Sequence, residues 1–327
     1  MNFIKRNWFI FGIFLVLTLG ILISEFGIML NRGAVFSTVL VVLLFFITGL
    51  KLPVNSIKSG LKDIRLHIYI QLFIFAVVPL YFYFTSMLLK DYFAPQVLVG
   101  IYALACLPAT ISSCIVFTQS AGGNVVATMF NAAFSNLIGV IISPLLLSLM
   151  LKTSSEALPV SELVEIFRKL ALMMLLPIGA GAFMRRWLGN FAVKQKRTLA
   201  VLANLFILFI LFFAFSKSAG DPEFTGNLRS MAGVYGYLAV SFIILLSLAS
   251  AGAAVIGFSL EDRISVAFTA PKKTLAMGVP LLSAFFDGQP ELLGIALLPL
   301  IFYHPWQLFV SGILQEVIKK RKSPSRS

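Results

Sequence analysis

Apolar runs of about 18 residues or more recur along nearly the whole of this 327-residue chain, and each is long enough to cross the ~30 Å hydrocarbon core of a bilayer. Backbone N–H and C=O groups in hydrocarbon must be satisfied by the protein itself, so such runs fold as helices. A membrane barrel would read as short segments of alternating polarity, and the chain has no such pattern. Hydrophobic residues make up 59% of the chain and charged residues 12%, with a mean hydropathy of +0.96. A soluble domain would need more polar surface to cover its core. The expected fold is an all-α polytopic membrane protein with about ten transmembrane helices.

The expected spans cover residues 8–30, 34–50 and 67–89, then one from about 96 that is interrupted near Pro108, then 124–151. The second set covers 167–183, 199–215 and 232–258, then one after Arg263 that is interrupted at Pro271-Lys272-Lys273, then 292–314. The first apolar stretch is too long for a signal-peptide core and lacks a small-residue cleavage site, so it reads as a retained span. Cys106 and Cys114 share one apolar segment, which gives neither a disulfide framework nor metal-ligand spacing. The net charge of +13 is a topology signal rather than a nucleic-acid signature. With the N-terminus inside, cytoplasmic segments hold 17 basic residues and external loops 5 (Arg32, Lys90, Lys152, Lys217 and Arg229). Both termini are therefore expected in the cytoplasm, with the protein in the plasma (inner) membrane.

The proline punctuation repeats. Pro108 and Pro271 lie 163 residues apart, and Pro144 and Pro305 lie 161 apart. Two units of five spans each, residues 1–152 and 153–327, would be inverted because five is odd. Broken helices at corresponding positions of inverted repeats point to a transporter's binding site.

Polar residues mark where that site is expected. The break in span four, Leu107 to Cys114, supplies the hydroxyls of Thr110, Ser112 and Ser113, the Cys114 thiol and freed carbonyls, which suit a cation or a hydrogen-bonding solute, or else bond back to their own helix. Asn124, Thr128, Asn131 and Ser135 form one stripe of span five, and His304, Gln307, Ser311 and Gln315 one stripe of span ten. Such stripes face a cavity or glue helices together, and glue is the better reading for Ser311 and Gln315. Gln71 follows His67 by one turn at the start of span three. Lys272 and Lys273 are the sharpest signal: two ammonium groups at mid-membrane depth with no intramembrane carboxylate in sequence reach. Each costs at least ~2.5–3.5 kcal/mol to insert, so a functional role is the default. Ser113, Thr128 and Asn131 are expected to line one cavity with the span-nine break.

In this order, Lys5-Arg6-Asn7-Trp8-Phe9, Thr48-Gly49-Leu50-Lys51-Leu52, Leu66-His67-Ile68-Tyr69-Ile70-Gln71, Gly122-Gly123-Asn124, Phe130-Asn131, Lys273-Thr274-Leu275 and Tyr303-His304-Pro305 resemble the bile acid:sodium symporter family. The resemblance is closest to the divergent solute carrier family ten, member-seven branch, and runs over essentially the whole chain. It implies a panel of spans one, two, six and seven, and a core of spans three to five and eight to ten. Broken spans four and nine then cross, with substrate and sodium bound near the crossing. The sodium-binding members' Ser-Asn pair falls on Ser112-Ser113, and their span-five hydroxyl positions fall on Thr128 and near Asn131. Their span-nine glutamate falls on about Thr269 and their nearby glutamine on Lys273, followed here by Thr274. One change removes a negative charge and the other adds a positive one. At 4 Å and an effective dielectric near 20, a lysine and a sodium ion repel by about 4 kcal/mol. Only a weak cation site at Ser112, Ser113 and Thr128 is left.

The expected function is secondary-active transport of an organic, anionic solute by alternating access, with altered or absent sodium coupling. The expected partners are a small-molecule solute, a coupling ion (H⁺ or Na⁺) and the lipid bilayer, with no nucleic acid and no cofactor. The competing class, which the member-seven resemblance implies, is a non-transporting or weakly transporting regulator of calcium homeostasis on a transporter scaffold. An enzyme is not expected: the chain has no HExxH, no GxSxG and no paired intramembrane acids.

Overall fold

The computed structural model describes residues 8–51, 63–154, 160–219, 222–286 and 290–322. The expected basic loop around Lys58 and Lys62, the residues Lys5 and Arg6, Pro159, and the end of the tail lie outside the described residues.

The described residues form thirteen α-helices and no strand. They are α1 Trp8–Leu22, α2 Ser24–Leu30, α3 Val35–Leu50, α4 Ile64–Leu88, α5 Pro95–Cys106, α6 Ser112–Ser120 and α7 Val125–Ser154. The rest are α8 Val160–Lys194, α9 Lys196–Ser218, α10 Pro222–Val255, α11 Leu260–Thr269, α12 Leu275–Phe285 and α13 Pro290–Lys322. Six segments, within α3, α4, α7, α9, α10 and α13, are long and apolar enough to cross a bilayer alone. Spans four and nine are each two helices flanking an extended break, α5–α6 and α11–α12.

Two departures from the sequence expectation matter. The first span is not straight: α1 and α2 meet at Ile23 with a 96° bend. The chain then turns through Gly33 (φ 67°) and Ala34 (φ 58°). The Asn31 side chain clamps this turn, its Nδ2 donating to Ser37 Oγ (3.1 Å) and its Oδ1 accepting from Ser37 N–H (3.0 Å). The third span, read as one regular helix, contains a π-turn at Phe73–Val77. There Val78 N–H bonds Phe73 O, and Pro79 has no N–H. The Ile74 carbonyl therefore has no helical partner in either the α or the π register.

The helices pack closely where glycine permits. A Cβ at Gly49 of α3 would lie 2.1 Å from Ile178 O of α8, and one at Gly181 of α8 would lie 2.1 Å from Phe46 O of α3. The two backbones therefore touch directly, the small-residue contact that membrane helices use when lipid offers no hydrophobic driving force. α1 and α2 lie on α9, and α5 lies on α13. Many large apolar side chains point outward, as in a protein that faces lipid: Phe14, Phe36, Phe84 and Phe309 are all more than half exposed.

Candidate functional site

The two breaks meet. Thr274 N–H of the α11–α12 break donates to Pro108 O of the α5–α6 break at 3.0 Å. An interrupted helix leaves its last carbonyls without partners, and in a bilayer each must find one. Here several can be traced. Cys106 O accepts from Ser143 Oγ (2.7 Å), and Ala109 O accepts from Asn136 Nδ2 (2.7 Å). In the other break, Pro271 O accepts from Tyr303 OH (3.1 Å). Gln307 reads the Lys273 backbone from both sides: its Oε1 accepts from Lys273 N–H (2.9 Å) and its Nε2 donates to Lys273 O (2.8 Å). His304 Nδ1 lies 3.1 Å from the same amide.

Lys273 takes three further carbonyls. Its Nζ donates to Ala105 O (2.8 Å), Leu107 O (2.8 Å) and Ile74 O (2.9 Å). The first two belong to the carbonyl end of α5, which carries partial negative charge. The third is the carbonyl released by the π-turn of α4. Three acceptors match the three N–H donors of an ammonium, whereas a neutral amine has only two. The side chain is 1% exposed. The sequence suggested an ammonium without a partner, because it has no nearby carboxylate. The structure supplies backbone oxygen instead.

Lys272 points elsewhere and has no hydrogen-bond partner. It is fully buried, with Nζ 4.2 Å from the centre of the Phe117 ring and 5.4 Å from that of Phe268. Quadrupole attraction from aromatic faces can hold a cation, but it leaves three N–H donors unused. Cys114, in the first turn of α6, and His304 both lie within Coulombic reach of it. Cys106 and Cys114 are both free thiols.

The other candidates form two buried networks. Thr128 Oγ1 lies 2.6 Å from Ser265 Oγ of α11 and donates to Thr118 Oγ1 of α6 (3.1 Å). Asn131 Nδ2 lies 2.9 Å from His67 Nδ1, and Gln71 Nε2 donates to Asn131 Oδ1 (3.1 Å). Asn124 joins α7 to α11 through Asp262 Oδ1 (2.7 Å). Ser112 is exposed, and Ser113 bonds Thr110 next to Cys114. Thr269 is fully buried, and its hydroxyl has no partner. Gln71 Oε1 is likewise unpartnered. Thr128 and Asn131 are 0% exposed and sit in packed contacts between helices.

Sequence reasoning missed one region. A cleft of about 370 Å³ opens between α2–α3, α8–α9 and α12–α13, with Arg32 and Lys217 among its lining residues. In the sequence both are simply loop charges.

Comparison with known proteins gives the same architecture a family. The model of the SBF-like CPA transporter family matches residues 7–320. "Sodium/bile acid cotransporter 7-B" of Xenopus laevis is 28% identical over 323 residues, covering 97% of this chain and 92% of that protein. "Sodium/bile acid cotransporter 7" of Danio rerio is also 28% identical over 323 residues, covering 97% of this chain and 94% of its own. An uncharacterized protein of Pseudomonas aeruginosa is 32% identical over 281 residues, covering 86% of this chain and 83% of its own. The family is one of transporters, not enzymes. The chain is an integral membrane protein that belongs to the SBF-like CPA transporter family.

Proposed function

We propose that this transporter moves an organic anion by alternating access, and that it does so without a strict requirement for sodium. The observation that carries this reading is the Lys273 ammonium held by the carbonyls of Ala105, Leu107 and Ile74. Convergent backbone oxygens at broken membrane helices are cation ligands. Here a covalently attached cation occupies them. Thr269, on which the family's glutamate falls, brings no negative charge to the crossing. A second cation, Lys272, lies buried beside it with three unused donors. Together they make the crossing electropositive, which favours an anionic solute. The relatives' names specify bile acids, which are organic anions with large apolar bodies.

The panel of α1–α3, α8 and α9 and the core of α4–α7 and α10–α13 are the two moving parts in this reading, with both termini cytoplasmic. The division is supported by the direct backbone contact of α3 with α8. It is also supported by the hydrogen bonds that tie α4, α5, α7, α11, α12 and α13 to one another. The two inverted repeats are supported by the parallel order broken helix pair, then a long proline-containing helix: α5–α6–α7 and α11–α12–α13.

The test is uptake of radiolabelled organic anions, bile acids included, into proteoliposomes with sodium or choline as the external cation. Comparable saturable flux in both is expected. A strict, saturable sodium requirement would overturn the reading, and absence of flux with every anion would favour a regulatory scaffold.

A further inference from the structure

We infer that a groove between α10, α11 and α13 holds an anionic phospholipid, its phosphate between Arg263 and Arg321 and its acyl chains on the apolar wall beneath them. The groove has a volume of about 280 Å³. Leu260 and Arg263 stand one turn apart on α11, and Leu314, Ile318 and Arg321 follow one another at i, i+4 and i+7 on α13. Each helix thus presents an apolar strip that ends in an arginine. Ser250 of α10 closes the third side. Depth follows from where the spans end. Arg321 is the last residue of the span Leu292–Arg321, and α10 leaves its own span at Val255. Leu314 lies seven residues back from Arg321, about 10 Å toward the bilayer centre at ~1.5 Å per residue. The groove therefore runs from headgroup depth into hydrocarbon. Neighbouring Leu248, Ile313 and Val317 are exposed apolar side chains, as on a surface that meets acyl chains.

Charge names the occupant. Neither guanidinium has a hydrogen-bond or ion-pair partner among the described residues. The acidic side chains nearest in sequence are engaged or turned away. Asp262 accepts from Asn124 Nδ2 and Ser259 Oγ (both 2.7 Å), and Glu316 lies 3.8 Å from Lys319 Nζ. Glu261 is exposed and does not line the groove. Two planar, donor-rich groups at the mouth of an apolar groove match a phosphate that carries long chains. The sequence makes a second, independent case. Lys319, Lys320, Arg321, Lys322 and Arg326 crowd the end of this span, and a basic cluster just beyond a transmembrane helix draws anionic lipid to its leaflet. Under the orientation proposed above, that is the cytoplasmic leaflet. The bound lipid bridges α11, the first half of a broken span, to α13, whose Gln307 fastens the Lys273 backbone. It steadies the crossing from the side of the chain termini. The site is made by α10, α11 and α13 alone, concerns no transported solute, and is tested without measuring flux.

The experiment titrates the full chain in detergent with dioleoylphosphatidylglycerol or dioleoylphosphatidylcholine and counts bound lipids by native mass spectrometry. The first phosphatidylglycerol should bind about 25-fold more tightly than phosphatidylcholine, about fivefold for each arginine. Arg263→Gln/Arg321→Gln should remove most of that preference, and Arg263→Lys/Arg321→Lys should keep it. Lys319→Gln/Lys320→Gln takes the same charge from the same helix end outside the groove, and it should also keep most of the preference. A readout without variants is phenylglyoxal modification, resolved by peptide mass. Phosphatidylglycerol should slow it at Arg263 and Arg321 relative to the exposed Arg65, and phosphatidylcholine should not. Glycerol 1-phosphate, the head without the chains, should displace no bound lipid. Equal affinity for the two lipids overturns the inference, as does an equal loss in the two Gln pairs, which would reduce the effect to a general attraction by the tail. Arginines that phosphatidylglycerol leaves unprotected overturn it too. Displacement by glycerol 1-phosphate would make this a site for a water-soluble phosphate and overturn the assignment to lipid.

Discussion

Replacing Lys273 by alanine removes one ammonium and leaves three buried carbonyls, Ile74, Ala105 and Leu107, aimed at an empty volume. Each hydrogen bond from a charged donor contributes ~1.5–3 kcal/mol, so the three together stabilise by ~4.5–9 kcal/mol. Keeping the ammonium out of water offsets several kcal/mol of that. A net loss of ~2–5 kcal/mol is expected for Lys273→Ala, measured as a fall in the midpoint of thermal unfolding in choline chloride, whose cation is too large for the gap. The same three oxygens would then form a site for a small cation. A site of ~1 mM affinity returns ~3 kcal/mol at ~150 mM ligand. Sodium or methylammonium should therefore raise the midpoint of the alanine variant and leave that of the unmodified protein unchanged. An alanine variant that melts with the unmodified protein in choline would refute the proposed role of the ammonium. Equal midpoints in choline, sodium and methylammonium would refute the claim that the carbonyls form a cation site.

Three further outcomes are expected. Thr269→Glu combined with Lys273→Gln should acquire a sodium-dependent rise in melting midpoint that the unmodified protein lacks, because it restores a carboxylate and deletes the competing cation; a flat sodium titration would count against it. Gly181→Leu should abolish well-folded protein, since its side chain meets Phe46 O where even a Cβ lies at 2.1 Å, and fluorescence size-exclusion chromatography would show the loss. Reporter fusions should place both termini in the cytoplasm, and opposite sides would remove the even number of spans.

The parts of this structure that can be read from sequence are those with local chemical causes. Pro108 and Pro271 marked both broken spans because proline removes an N–H wherever it stands. The polar stripe of α7 was visible from its helical spacing, and its members Thr128 and Asn131 are fully buried. The π-turn of α4 has one local signal, Pro79 in mid-span, which has no N–H to give Phe75 O in an α register or Ile74 O in a π register. The 96° bend at Ile23 had none, because no proline marks it. Lys273 was singled out for its charge, but its partners are backbone atoms 166 to 199 residues away, and carbonyl groups leave no trace in residue identity. Arg32 and Lys217 were hidden for the same reason: one-dimensional spacing does not show that two loops share a cleft.

The lysine at the crossing also limits what can drive transport. A sodium ion bound on one side and released on the other brings the energy of its own gradient to the solute. In the proposed reading Lys273 stands where a sodium ion would bind; a side chain cannot leave, so while it holds the three carbonyls the crossing draws no work from a sodium gradient. If the solute is the monoanion proposed, it crosses as a net charge, and the membrane potential acts on it with ~2.3 kcal/mol per 100 mV. In a cell with a negative interior that force points outward. Unassisted flux therefore runs toward export, and accumulation inside requires a proton or another co-ion to cross with the solute.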